Sequence, residues 1–448
     1  MNHTNISGAL APDVNPILSN PNPFAGKVKY SLILHTIKDD IVVTRIDSIE
    51  KLKDYSNNIT DYIIVRFKLY GSDFTKKLYP NRDNLELTLT LTAGDDYEVS
   101  NRYKLALLNH KSGIDTNPLV KEGSSVDTNM IFNVEAQCLV REVEGLRGVF
   151  TDGVFMNTTL YNMVQSEFVT SFSNVKVEGK TLEGVRLNID KFDNDMTYKH
   201  IIVNTGTPIL DLPSVFQNNN YGIYNGNIGT YVTIFESNPT VFIYPLYDFT
   251  QYDKKDKKLM IFSLNNKRLD RIENTFVQKD DVLKIICKSN ITSNDTGDNE
   301  LIDGGSSIIS SNPYLLMSRN VNVTDSKVIY DKDSQITGTK IKDKKDKVNR
   351  DRYVGNQSNL YKIRSDYNKA MSAIYTIQWS FSNSELIYPG MPCSFIYEDT
   401  ERDIVELKGM ILNVYEVYEA NTNTTNSLLT IAVQKPINDP SNDVYNKD

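Results

Sequence analysis

The stretch Ala373–Pro436 decides the fold: AIYTIQWSFS (373–382), a sharp turn at Tyr388-Pro389-Gly390-Met391, PCSFIYED (392–399), KGMILNVYEVYEA (408–420) and SLLTIAVQKP (427–436). Each run is rich in β-branched and aromatic residues and is bounded by Pro, Gly, Asn or Asp, which is the signature of strands. The polar connections DTERD and NTNTTN read as hairpin loops. Four consecutive strands without a nucleophile, metal cluster or phosphate loop describe a compact β-module that holds a position in an assembly.

Working outward, β patterns dominate the rest of the chain. KYSLILHTI and DIVVTRIDSI flank the polar turn Lys38-Asp39-Asp40, as in a hairpin. A helical or irregular linker is expected at 50–60, followed by the strand DYIIVRFKLY. NLELTLTLTAG places Leu85, Leu87, Leu89 and Leu91 on one face, with Glu and Thr on the other. YKLALLN, a loop at 110–126 and the strand run MIFNVEAQCLVREVEGLR complete a first β-domain. From Asp152 to Phe172 the period changes: Met156, Leu160, Met163, Val164 and Phe168 fall near helical spacing, with Asp152 as N-cap. Short strands fill 175–206. Thr207 before Pro208 signals a helix start, with Pro213 expected to kink or split that helix. GTYVTIFESN and PTVFIYPLYDF meet at Ser237-Asn238-Pro239, and KLMIFSLNN and VLKIICKS follow the charged break DKKDKK. A helix is also expected within Tyr361–Ile374.

These readings divide the chain into an extended N-terminal arm (1–27), a first β-barrel-like domain (28–150), a connecting helix-containing α+β region (151–229), a second β-region (230–290), a loop-rich charged insertion (291–360), a C-terminal β-module completing a barrel (361–436) and a polar tail (437–448). The fold class is mainly β with a few short helices, and multidomain, as 448 residues exceed what one core organises.

Composition narrows the function. The chain carries 49 Lys and Arg against 57 Asp and Glu, a formal charge of −8, which argues against general affinity for nucleic-acid backbones. The cysteines Cys138, Cys287 and Cys393 are far apart in apolar runs, so they read as buried free thiols rather than a disulfide or zinc framework. The N-terminal residues lack the basic and apolar regions of a signal peptide, and no apolar run reaches the ~18 residues of a membrane span. His3, His35, His110 and His200 show no metal-ligand spacing, and for His35 and His200, which lie in strand-like runs, satisfied structural imidazoles are expected. The acidic clusters Asp39-Asp40, Asp95-Asp96, Asp193–Asp195 and Glu398–Asp403 fall in expected turns, where Asp is favoured for turn geometry alone. The run Lys340–Arg352 interleaves both signs and reads as a solvated loop. No catalytic, cofactor-binding or metal-ligating residue is assigned, and no enzymatic activity or cofactor is expected.

In order, two β-domains, an intervening helix and a late Pro-Gly-Met strand turn resemble the baseplate hub of contractile phage tails and the related type VI secretion spike base. NLELTLTLTAG, TYVTIFESNPTVFIYPLYDF and NSELIYPGMPCSF…LKGMILNVYEVYE carry the resemblance, over about half of the chain. It implies two tube-like β-barrel domains plus further β-rich segments in each subunit. It also implies a homo-trimer that adapts a six-fold tail tube to a three-fold central spike. The implied partners are the tail tube protein, the central spike protein and surrounding baseplate proteins, with transient passage of DNA through the lumen and no membrane anchor. The implied setting is the virion tail, assembled in the host cytoplasm. The alternatives are another tail part (tube, terminator or wedge) and a receptor- or carbohydrate-binding β-protein. The last would need Tyr221, Tyr224, Tyr231 and Tyr244 to line a cleft.

Overall fold

The computed structural model describes residues 10–26, 28–112, 131–174, 184–219, 221–264, 272–295, 372–398 and 403–434. It also describes short pieces at 176–177, 180–181, 308–309, 321–324, 327–330 and 352–353, and single positions between 359 and 369. The first barrel is built from β1 (Val28–His35), β2 (Asp40–Val43), β3 (Arg45–Asp54), β4 (Tyr62–Tyr70), β5 (Glu86–Ala93), β6 (Tyr97–Ser112) and β7 (Ile131–Val140). β2 and β3 are one strand bent at Thr44. Its first half pairs with β1 and its second half with β4. The remaining pairs β4–β7, β7–β6, β6–β5 and β5–β1 close the ring, and all are antiparallel. Alternation fills the inside: Leu85, Leu87, Leu89 and Leu91 are buried as expected, opposite Ile63, Val65 and Phe67 of β4.

Beyond β7 lie α3 (Glu142–Arg147), β8 (Phe150–Thr159), α4 (Leu160–Asn174) and the two-residue strands β9 (Lys176–Val177) and β10 (Lys180–Thr181). β11 (Arg186–Ile189), β12 (Thr197–Pro208), α5 (Leu212–Asn218), β13 (Asn227–Phe235), β14 (Asn238–Leu246) and α6 (Gln251–Lys254) follow. The earlier helices are α1 (Ala11–Leu18) and the single turn α2 (Gly71–Asp73). β8 and β12 form a two-stranded ribbon, and β11, β14 and β13 form a three-stranded sheet.

The second barrel takes β15 (Lys258–Leu264), β17 (Val282–Asp295), β22 (Ser372–Ser380), β23 (Pro392–Glu398), β24 (Ile404–Glu419) and β25 (Thr424–Gln434). β16 (Phe276–Lys279) lies alongside β17. The short strands β18 (Ile308–Ile309), β19 (Val321–Thr324), β20 (Lys327–Tyr330) and β21 (Arg352–Tyr353) pair among themselves. The second ring runs β15–β17–β22–β25–β24–β23 and back to β15.

The two rings share one strand order. Numbering six strands by sequence in each barrel, with β2 and β3 counted as one, the circuit is 1-2-3-6-5-4 in both. Details repeat as well. The second strand switches partner partway along, at Thr44 in one barrel and between Lys288 and Thr292 in the other. The fifth strand has 16 residues in each and bulges at Ala106 or Leu412. The difference is the first strand: β15 runs parallel to both neighbours, whereas β1 is antiparallel to both.

Several expectations are corrected. The N-terminal arm is not extended throughout. Residues Ala11–Leu18 form α1, because Leu10, Val14 and Ile17 recur at helical spacing and bury against Phe262, Leu264, Ile286 and Ile396. The 50–60 linker is β-strand as far as Asp54, since its alternation continues that of Ile46 and Ile49. The Asp152–Phe172 helix starts eight residues later. Val154–Thr159, with β-branched Val154, Thr158 and Thr159, joins β8, Met156 lies exposed on it, and Thr159 Oγ1 instead caps the helix by accepting from Asn162 N. The run ending at Arg147 leaves strand at Val140 and turns into α3. Thr207 and Pro208 end β12 rather than start a helix, and Pro213 sits in the first turn of α5, where it does not kink it. In the 230–290 region, β13 and β14 join β11, while β15 and β17 belong to the second barrel. The 110–126 loop lies outside the described residues from 113 onward, as do Gly304-Gly305, most of the basic run Lys340–Arg352 and the 437–448 tail.

Candidate assembly joint

β24, a strand of the second barrel, also joins an edge of the first. Ile404–Met410 pairs with β23, and Asn413–Glu419 pairs antiparallel with Ser48–Asp54 of β3, so all barrel strands lie in one 14-stranded sheet. The inward positions of β3 at this seam are Lys51 and Lys53, both almost fully buried. A lysine is tolerated inside only when paired. Lys51 Nζ donates to Glu385 Oε1 at 2.6 Å and lies 3.5 Å from Oε1 of Glu416, its cross-strand partner on β24. Lys53 Nζ donates to the Ser384 carbonyl at 3.4 Å and lies 3.5 Å from Glu385 Oε2. Glu416 Oε2 in turn accepts from Ser384 N at 2.9 Å.

Glu385 sits on a 3₁₀ turn, Ser384–Leu386, between β22 and β23, capped by Asn383, whose side chain accepts from Glu385 N. A turn of the second barrel thus places a carboxylate against two lysines of the first. Burial alone would push the Glu385 carboxyl up, but Lys51 and Lys53 together outweigh it and hold it at about 2. Burial opposes the charge on both lysines, yet Glu385 and neighbouring groups raise them above the ordinary lysine value. Asp61 behaves oppositely. Its burial outweighs Lys53 and the hydroxyl donors Thr233 and Tyr231, and its carboxyl is raised.

The joint has a second layer. Val232 N of β13 donates to the Ile59 carbonyl at 2.8 Å, and Tyr244 Oη of β14 donates to the Tyr55 carbonyl at 2.6 Å. The Tyr244 ring lies between two glycines. A Cβ at Gly229 would come within 2.4 Å of it and one at Gly390 within 2.7 Å, and Gly390 also has φ +73°. The Pro-Gly-Met turn therefore needs its glycine for both backbone and ring.

The residues singled out in the sequence distribute as follows. Tyr224, Tyr231 and Tyr244 are core side chains, and Tyr221 Oη donates to the His200 carbonyl at 3.5 Å, so the four do not form an exposed platform. His35 is held between Asp40 and Thr88 at 2.8 Å each, whereas His200 is solvent-exposed on β12. The side chains of His3 and His110 lie outside the described residues. Asp193 accepts from Asn225 N at 2.8 Å. All three cysteines are free and buried, with burial pushing Cys287 up to about 12. Among the described residues no group of three or more His, Cys, Asp or Glu is placed to hold a metal, and no helix is long and apolar enough to cross a membrane. The lysine–glutamate cluster went unread in the sequence. Its signal was the parity Ile49, Lys51, Lys53, Tyr55, in which lysine continues an inward series.

No protein-family model matches the sequence, and no curated protein sequence matches it. Solved structures do. A tail protein from Neisseria meningitidis aligns over 90% of this chain and 96% of its own, at 10% identity and TM-score 0.49. A 43 kDa tail protein of a Shewanella oneidensis prophage aligns over 90% and 97%, at 9% identity and TM-score 0.46. An E. coli component of the type VI secretion system aligns over 90% and 77%, at 10% identity and TM-score 0.44. Its structural neighbours are thus phage tail proteins and type VI secretion components.

Proposed function

We propose that this chain is a structural protein of a phage-tail baseplate, the trimeric hub that adapts a six-fold tail tube to a three-fold central spike. One observation carries the reading: a single chain contains two six-stranded barrels of identical strand order, fixed to each other by the pairing of β24 with β3. Three copies then present six equivalent barrels to a tube ring while keeping three-fold symmetry toward a spike. The β24 seam and the Lys51–Glu385–Lys53 cluster make that spacing rigid, which a symmetry adaptor requires. The activity is mechanical, without catalysis or cofactor. The partners are the tube protein, the spike protein and surrounding baseplate proteins in the virion tail, with DNA passing through the lumen.

Light scattering of the purified protein, alone and mixed with tube and spike proteins, tests this. A trimer, or a monomer that trimerises on meeting the spike protein, is expected. A hexamer would indicate a tube or wedge protein instead. A monomer that binds glycans and ignores tail proteins would refute the reading. That last outcome is disfavoured by the burial of Tyr224, Tyr231 and Tyr244.

A further inference from the structure

The repeated strand order makes the joint inside the chain a template. Within one copy, the distal half of the fifth strand of barrel two, β24, pairs with the second strand of barrel one, β3. The equivalent halves at the two outer ends of the molecule have no such neighbour among the described residues. β6 uses both edges up to Leu105 but beyond its bulge pairs with β7 alone, leaving Leu107 49% exposed along an unpaired edge. β17 from Thr292 to Asp295 pairs with β22 alone. Unpaired edges invite strand addition.

The register between these two edges follows from the pairings already present. Counting from the fifth-strand bulge, Leu107 stands where Asn413 stands. Their partners Gln137 and Thr430 are then equivalent. Through these, Ile64 matches Thr376, and Glu50 matches Thr292. The intramolecular pairs Val417–Glu50, Glu416–Lys51, Tyr415–Leu52 and Val414–Lys53 translate into Lys111–Thr292, His110–Ser293, Asn109–Asn294 and Leu108–Asp295. All eight positions lie in strand, on edges without a described partner.

We propose that copies of this chain join head to tail through this pairing, with Leu108–Lys111 of β6 in one copy lying antiparallel to Thr292–Asp295 of β17 in the next. The occupant of each free edge is a second copy, because the chain already makes this contact with itself between its own barrels. Such an interface is heterologous and closes into a ring if each joint turns the next barrel by one-sixth of a circle. Barrels would then alternate around the ring through one repeated kind of seam. The inference rests on the trimeric reading above and specifies the contact that builds it.

The test uses the full chain carrying Asn109→Cys and Asn294→Cys, oxidised and run on a non-reducing gel beside light scattering of the unmodified protein. Residues directly opposite on antiparallel strands have Cβ atoms ~4.5–5.5 Å apart. Oxidation should therefore convert most of the protein to covalent dimers and trimers that reduction dissolves. Asn109→Cys with Ser293→Cys, one residue out of this register, should stay monomeric on the gel. The pair Leu108→Cys and Asp295→Cys provides an independent second readout of the same register. The native thiols are buried and give no background. A solution trimer in which neither matched pair cross-links overturns this strand contact and leaves the hub reading standing. A chain that remains monomeric with and without spike protein overturns both.

Discussion

Glu385→Gln removes one charge from the barrel joint while keeping the side chain's shape. Native Glu385 ionises at about 2 against an ordinary 4.5. Between those values the unfolded chain binds a proton that the native chain refuses. The stabilisation is therefore complete above pH ~5 and is lost as pH falls toward 2. At 1.36 kcal/mol per unit, the ionised carboxylate contributes ~3 kcal/mol at pH 7 and ~1 kcal/mol at pH 3. The first value agrees with the ~3–5 kcal/mol typical of breaking a buried ion pair from one side. Urea unfolding followed by tryptophan fluorescence measures it, because Trp379 is fully buried in β22 next to this turn. The expected result is a lowered midpoint at pH 7 and a gap from the unmodified protein that narrows by more than half at pH 3. A loss under ~1 kcal/mol at pH 7, or a gap that ignores pH, would refute the assigned role of the cluster. A cycle with Lys51→Met should show coupling of ~1–3 kcal/mol, since the two groups touch.

Other outcomes follow from the same geometry. Gly390→Ala meets the Tyr244 ring and a φ of +73° and should cost ~3 kcal/mol or more, whereas Gly26→Ala, with φ +75° and nothing within 4 Å, should cost ~1 kcal/mol, both read from urea midpoints. Ile17→Asp places a charge in the small core under α1 and should lower thermal stability, with protease cleavage near residue 20 as the diagnostic. Asp61→Asn should leave stability at pH 7 unchanged or improved. The native carboxyl is raised, so its ionised form opposes folding as pH rises, and a clear loss at pH 7 would contradict that assignment. The three thiols should not react with a disulfide reagent in the native protein and should all react in guanidinium chloride.

What the sequence determined by itself was local. Period-two alternation in Leu85–Leu91, the strands of the last module and the turns at Lys38–Asp40 and Gly390 were legible because strand faces and left-handed turn residues are fixed by neighbours one to four positions away. Boundaries failed where two local preferences competed: Val154–Thr159 looked like part of a helix because Met156 matched the spacing of α4, and its β-branched residues instead paired with β12. What the tertiary structure decided was everything carried by pairing across long separations. The identical circuit of the two barrels unites strands as distant as Leu259 and Cys393. No residue-by-residue likeness marks it, since hydrogen bonds between backbones set strand order without constraining side-chain identity. Lys51 and Lys53 carry no local sign of burial beyond their parity, because lysine normally keeps its charge in solvent. Their burial makes sense only once Glu385, more than 330 positions away, is seen to arrive beside them on a turn of the other barrel.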